Sequence, residues 1–355
     1  MITRITTSGN IQKELRKTRY LRFIVLILLV WYVTISVLQQ VTFDLYRYYE
    51  MAELNLISKD LMGVIESSRE HNVDFLYHTI LYVALIFNIP LNLVTVTIVS
   101  LYYFLILSCI RDIWNKKIAE SLLFVILFTT PICWVVSISR NLTAIMFLYA
   151  AIKSYCRKKW FFVVFFSILS VITHFSVLMY LAVLVSAFLL RKIHINKEVV
   201  IILIILSFLG GVFFPAYMQN LFFDMIINQD IRYSNYSTQN DLGMFKGNLN
   251  YAAKLPTLLA LSFSILLLYL NKKQDFVYWA LFLLTIMLSV FVLSSWTLTN
   301  RCMMTLPIFW GMNVAMVYKY SDLKNREILK KFSYVGIVII VISIYGLRNI
   351  YFPFI

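Results

Sequence analysis

The chain has 355 residues, 61% of them hydrophobic and 14% charged, with a mean hydropathy of +0.80, a composition that argues against a water-soluble globular fold. Its net charge of +15 rests on 32 basic residues, whose positions account for the excess better than a nucleic-acid partner does. Apolar runs of roughly 16 to 21 residues recur from Tyr20 to Tyr351, long enough to cross a hydrocarbon layer as helices, and the ten-residue alternation of a membrane β-barrel is absent.

Short loops rich in Lys and Arg mark the cytoplasmic side of a membrane protein. Six such groups hold 23 of the 32 basic residues: Arg4 to Arg22, Arg111 to Lys117, Lys153 to Lys159, Arg191 to Lys197, Lys272 with Lys273, and Lys319 to Lys331. Keeping all six inside demands an even number of crossings between each consecutive pair.

In chain order, the first apolar run, Leu21 to Gln40, follows the first basic group and lacks a small-residue cleavage site, so it reads as a retained span with the amino terminus inside. An outer loop follows at about 40–74. It opens with "FDLYRYYE", where Asp44 precedes Tyr46, Tyr48 and Tyr49. The tyrosines suit an aromatic belt at the interface, whereas a carboxylate at that point can accept a proton from an attacking hydroxyl.

Next come two apolar stretches, 75–89 and 91–110, and only one of them can cross without inverting every later loop. The weaker is "FLYHTILYVALIFNIP", with His78, two tyrosines and Pro90, which predicts an interfacial or half-inserted helix entering from the outer face. Spans then follow at about 118–137, 141–156, 159–173, 175–191, 198–216, 254–270, 276–296 and 302–318, with a last one beyond Lys331. The fold expected is an all-α polytopic membrane protein of about 11 transmembrane helices plus the half-inserted one, a single domain over 1–355, with a second outer loop at 217–253.

Among the basic residues left outside, Arg140 and Arg301 stand in tight turns with no acidic neighbours. Arg140 in "SISRNLTA" and Arg301 in "SWTLTNRCMM" are expected at the outer tips of tight hairpins. An arginine at a span end also snorkels to lipid phosphate, but two on one face suit a site, because guanidinium holds phosphate oxygens in a planar two-point geometry. His174, in "SVITHFSVLMYL", sits mid-way along 31 residues free of Lys, Arg, Asp and Glu and reaches the same face. It is either a hydrogen-bonded core histidine or a proton acceptor near neutral pH. The loop "IRYSNYSTQNDLGMFKGNLNYAAK" is polar, tyrosine-rich and long for a structureless connection, which favours a binding role.

These residues resemble, in order, the EpsG family of Wzy-like bacterial polysaccharide polymerases: "FDLYRYYE", "SRNLTAIMFLYAA", "CRKKW", "THFSVLMY" with His174 and Ser176, "RYSNY" with Tyr233 and Tyr236, and "TNRCMMTLPIFW". Asn141 stands where family members often have glutamine, and many members carry one more span before the aspartate loop. The resemblance implies a metal-independent glycosyltransferase without cofactors, similar in architecture to the all-helical glycosyltransferases. It would act at the outer face of the bacterial cytoplasmic membrane on undecaprenyl-diphosphate-linked donor and acceptor glycans, beside a flippase and a chain-length regulator. Arg140 and Arg301 would meet the diphosphate, with Asp44 or His174 as general base. Tyr48, Asn141, Ser176, Arg232, Tyr233, Tyr236 and Lys254 would contact substrate. A flippase for the same lipid-linked glycan would also need cations facing a cavity, although it would favour internal repeats and midplane charges. A membrane acyltransferase using His174 as base is the other alternative. Cys109, Cys133, Cys156 and Cys302 show no paired spacing, and the sequence holds no Walker loop or nucleophile elbow.

Overall fold

The computed structural model describes residues 49–50, 52–53, 57, 60–70, 75–109, 139–214, 217, 250–292, 296–329 and 331–332. The first span, the 118–137 run, the last run, and Asp44, Tyr48, Arg232, Tyr233 and Tyr236 lie outside these residues. Among the described residues every regular element is helical: α1 Leu61–Glu70, α2 Phe75–Ile86, α3 Leu91–Cys109, α4 Ser139–Cys156, α5 Trp160–Thr173, α6 Val177–Leu190, α7 Lys197–Phe213, α8 Asn250–Leu270, α9 Phe276–Phe291 and α10 Trp296–Tyr320.

The helix ends follow local chemistry. In α2 the Ile89 N–H donates to the Ala84 carbonyl at 2.8 Å and the Asn88 N–H to that of Leu85 at 3.0 Å, with Asn88 left-handed at φ 53. This is a Schellman ending, and asparagine bears the left-handed conformation more easily than most residues. The same ending closes α4, with Lys158 at φ 59 and the Lys159 N–H donating to the Ser154 carbonyl at 2.9 Å. Asp275 opens α9 by accepting from the Val277 and Tyr278 N–H groups at 3.0 and 3.2 Å, an N-cap that satisfies donors with no partner inside the helix.

Helix α9 is the centre of the bundle. Nearly all of its side chains are buried, and it packs against α6, α7, α8 and α10. At Gly211 the backbone of α7 comes so close that an added Cβ would lie 2.4 Å from the Val290 carbonyl oxygen. Helices α4 and α5 form a tight antiparallel hairpin, and α10 also touches α3, α4 and α8.

The outside of the bundle is apolar. Phe161, Val164, Phe165, Ile168 and Ile172 lie exposed along α5, and Ile202, Ile205, Leu206, Leu209 and Phe213 along α7. Their three- and four-residue spacing makes each set a continuous stripe, a surface that water-exposed monomers rarely carry. Among the described residues, no helix is long and apolar enough to cross a membrane. The element limits depart from the apolar runs in both directions: the 276–296 run holds a 16-residue helix and the 159–173 run a 14-residue one, whereas α4, α8 and α10 begin before the runs expected from 141, 254 and 302. Hydropathy continues through residues where caps and turns stop the hydrogen-bonded ladder.

The two ends of the bundle differ. At one end Arg191 Nη1 donates to Tyr155 Oη at 2.8 Å, Lys197 Nζ to the Tyr269 carbonyl at 2.8 Å, and Gln274 Nε2 to the Ile195 carbonyl at 2.7 Å. Lys272 pairs with Asp322, and Ser321 Oγ donates to the Leu270 carbonyl at 2.8 Å. These bonds gather four of the six basic groups, at 153–159, 191–197, 272–273 and 319–331, at one end, and the other two lie outside the described residues.

Candidate functional site

Among the described residues, the opposite end holds Arg140, Asn141, His174, Ser176 and Arg301 of the expected site residues. Helix α4 runs away from it and α5 towards it, and they are joined by Ser170 Oγ, which donates to the Ala144 carbonyl at 2.6 Å. One turn further out from that bond stand Arg140 on α4 and His174 at the end of α5, each displaced by about 6 Å at 1.5 Å per residue. The two therefore share a level. His174 is 5% exposed, and its extended backbone, φ −160 and ψ 114, turns the chain from α5 into α6. Its N–H donates to the Ser170 carbonyl, while its own carbonyl accepts from Val177. Ser176 is the N-cap position of α6.

Tyr180 follows one turn along α6 and connects this level to α10. The Arg301 charge acts on its phenol, and Cys302 and Thr305 of α10 also adjoin it. Arg301 is only 8% exposed. It occupies the second turn of α10 rather than a hairpin tip, because "WTLTN", which reads as a polar turn, is already helical. Thr299 Oγ1 donates to the Phe291 carbonyl at 2.7 Å and closes the connection from α9. Thr305 Oγ1 donates to the Arg301 carbonyl at 3.1 Å, within the turn before Pro307.

Three further contacts brace this end, and of their tyrosines only Tyr49 stands out in the sequence, as part of an aromatic belt. Tyr77 Oη and Ser139 Oγ, both fully buried, lie 2.7 Å apart and fix α2 to the residue before Arg140. Tyr102 Oη donates to the Met304 carbonyl at 2.7 Å, tying α3 to α10. Tyr49, five residues after Asp44, donates to the Leu91 carbonyl at 3.0 Å and pairs with the Thr95 hydroxyl. Burial pushes the Tyr49 phenol up to about 12, against the opposing effect of the Thr95 bond. The Tyr77 contact spans 62 positions in sequence, and a tyrosine within an apolar run carries no local signal of so distant a partner.

The electrostatics of this end favour anions. Helices α3, α4, α6 and α10 all begin here, and none has an acidic residue in its first turn. Each helix N-terminus carries about half a positive charge, which adds to the guanidinium groups of Arg140 and Arg301. Asn141, in the first turn of α4, is 3% exposed. Lys254 lies within α8, which starts at Asn250, so the expected outer loop is four residues shorter on that side. Among the described residues no group of three His, Cys, Asp or Glu side chains is arranged to hold a metal ion.

Fold and site together define an all-α protein with an apolar exterior, one basic end, and an opposite end where arginines and a buried histidine meet several helix N-termini. The chain matches the EpsG family over residues 19–354 and belongs to that family, one of Wzy-like polysaccharide polymerases. No curated protein and no solved structure matches the chain.

Proposed function

We propose that the protein is a multi-pass glycosyltransferase of the bacterial cytoplasmic membrane that joins undecaprenyl-diphosphate-linked oligosaccharide repeat units into a capsule, O-antigen or exopolysaccharide chain at the outer face. The observation that carries this reading is the shared level of Arg140 and His174, with Arg301 of α10 close enough to act on Tyr180 one turn along α6, at the end opposite the basic loops. Family membership supports the polymerase role, and the exposed stripes of α5 and α7 support a lipid-facing exterior. With the basic loops inside, this end faces outward.

In the reaction proposed, the acceptor hydroxyl oxygen attacks the anomeric carbon of the donor. The bond from that carbon to the diphosphate oxygen breaks, and the lipid diphosphate leaves with the electron pair. Arg140 and Arg301 stabilise the charge gathering on it, with no metal required. Asp44 or His174 receives the hydroxyl proton. Tyr48, Asn141, Ser176, Arg232, Tyr233, Tyr236 and Lys254 contact the glycans. The interfacial or half-inserted α2, about 18 Å long at 1.5 Å per residue, braces α4 through the Tyr77–Ser139 contact.

Deletion of the chain's gene tests the reading. The expected result is collapse of a surface-glycan ladder to a single repeat unit on the outer leaflet. Accumulation of repeat units on the inner leaflet would make it a flippase instead, and an unchanged ladder lacking acyl groups would make it an acyltransferase.

A further inference from the structure

Buried polar atoms nearly always find hydrogen-bond partners, so a concentration of exceptions calls for a physical reason. One lies at the end that holds Arg140. Asn141 is 3% exposed, and neither its Nδ2 nor its Oδ1 has a partner. Ser176 Oγ, Asn92 Oδ1 and Asn300 Oδ1 are also buried atoms without one. Each of these residues stands at the start of a helix that begins at this end: second in α3 (Asn92), third in α4 (Asn141), the N-cap of α6 (Ser176) and fifth in α10 (Asn300). The helices pack together, α3 against α4 and α10, and α4 against α6 and α10. At the other end the buried amides of Asn271 and Asn313 bond each other at 2.8 Å, while Gln274 Oε1, Tyr278 Oη and Trp279 Nε1 are buried there without a partner among the described residues, none of them within a cluster of helix starts carrying arginines.

The chemistry of the open atoms selects a ligand. An amide oxygen only accepts hydrogen bonds, and so does an ionised phosphate, so the anion that suits the arginines could accept from Asn141 Nδ2 and Ser176 Oγ but cannot satisfy the Oδ1 atoms of Asn92, Asn141 and Asn300. A sugar hydroxyl both donates and accepts. An asparagine with both amide atoms open matches two neighbouring hydroxyls, or a hydroxyl and an acetamido group. We infer that Asn92, Asn141, Ser176 and Asn300 form a glycan-reading site, in which neutral groups recognise the first sugars of the repeat unit while the arginines beside them hold its diphosphate. This rests on the polymerase reading and divides its site into two parts of different chemistry.

The test uses the full chain in lipid nanodiscs and two probes: undecaprenyl diphosphate alone, and the same lipid bearing the repeat unit, isolated from cells lacking the polymerase. The wild type should bind the glycosylated lipid more tightly. Asn141→Leu and Asn300→Leu should each lose about 10- to 100-fold in affinity for it, the effect of one or two polar contacts, and hold undecaprenyl diphosphate as the wild type does. Because an unsatisfied buried amide opposes folding, both empty variants should melt no lower than the wild type. Variants that keep full preference for the glycosylated lipid would overturn the inference. So would variants that melt well below the wild type, since the amides would then be structural. A wild type that binds both probes equally sinks this inference alone, and one that binds neither sinks the polymerase reading as well.

Discussion

Arg140 and Arg301 carry the same charge in different settings, the first half-buried in the opening turn of α4 and the second almost wholly enclosed in α10. Loss of either guanidinium should remove about 3 to 4 kcal/mol of transition-state stabilisation, by analogy with oxyanion-hole donors. Arg140→Lys keeps the charge and gives up the two-point geometry, so its turnover should fall between those of wild type and Arg140→Ala. In-vitro polymerisation rates on purified protein check that order. Asp275 offers a test away from the chemistry. Burial raises its carboxyl above the ordinary carboxylate range, outweighing the two backbone N–H groups that favour the charged form. The folded chain therefore takes up a proton there more readily than the unfolded chain, and the stability this gives is lost as pH rises through the raised value. Asp275→Asn keeps an oxygen to cap α9 without a buried charge. It should melt at or above the wild type at pH 7, with the difference narrowing towards pH 4, the ordinary aspartate range. Polar residues inside apolar runs were legible in the sequence, so Arg140, Arg301, Asn141 and His174 stood out. Tyr77, Asn92 and Asn300 did not, because a tyrosine in an apolar run, or an asparagine near a proline or an arginine, gains meaning only from neighbours far along the chain.

At the level of helices, the apolar runs located the elements and the caps corrected their limits. Arg301 illustrates the difference: "SSWTLTN" has turn composition, yet residues 296–300 already belong to α10, so the arginine is enclosed rather than at a tip. Close approach of two helices is equally invisible to hydropathy. Gly211 lets α7 reach the backbone of α9, and Gly211→Ala would push a methyl group to 2.4 Å from the Val290 oxygen. A shift of that kind costs about 1 to 3 kcal/mol by the usual scale of overpacking, and should appear as a lower melting temperature in detergent. Lys158 predicts the opposite sign. It holds the left-handed position that ends α4, φ 59, where a side chain costs about 1 to 2 kcal/mol and glycine none. Part of that is returned through the freer unfolded chain. Lys158→Gly should therefore raise the melting temperature modestly.

For the whole molecule, the arrangement of charge is the main organising fact. Basic turns are tied together at one end by bonds such as Arg191 to Tyr155 and Lys197 to Tyr269, and the other end collects helix N-termini around Arg140, His174 and Arg301. The sequence anticipated this separation because the positive-inside bias acts on loops, whose composition is local. Pairing across the bundle, such as α3 to α10 through Tyr102 and Met304, was not legible, since it depends on packing rather than on any periodicity. The central claim is that the two arginines serve one reaction from one end of this bundle. It is tested most directly by surface-glycan electrophoresis of cells in which Arg140→Ala or Arg301→Ala protein replaces the wild type at equal membrane abundance. Each substitution is predicted to reduce the ladder to single repeat units, and a full-length ladder from either strain would contradict the claim.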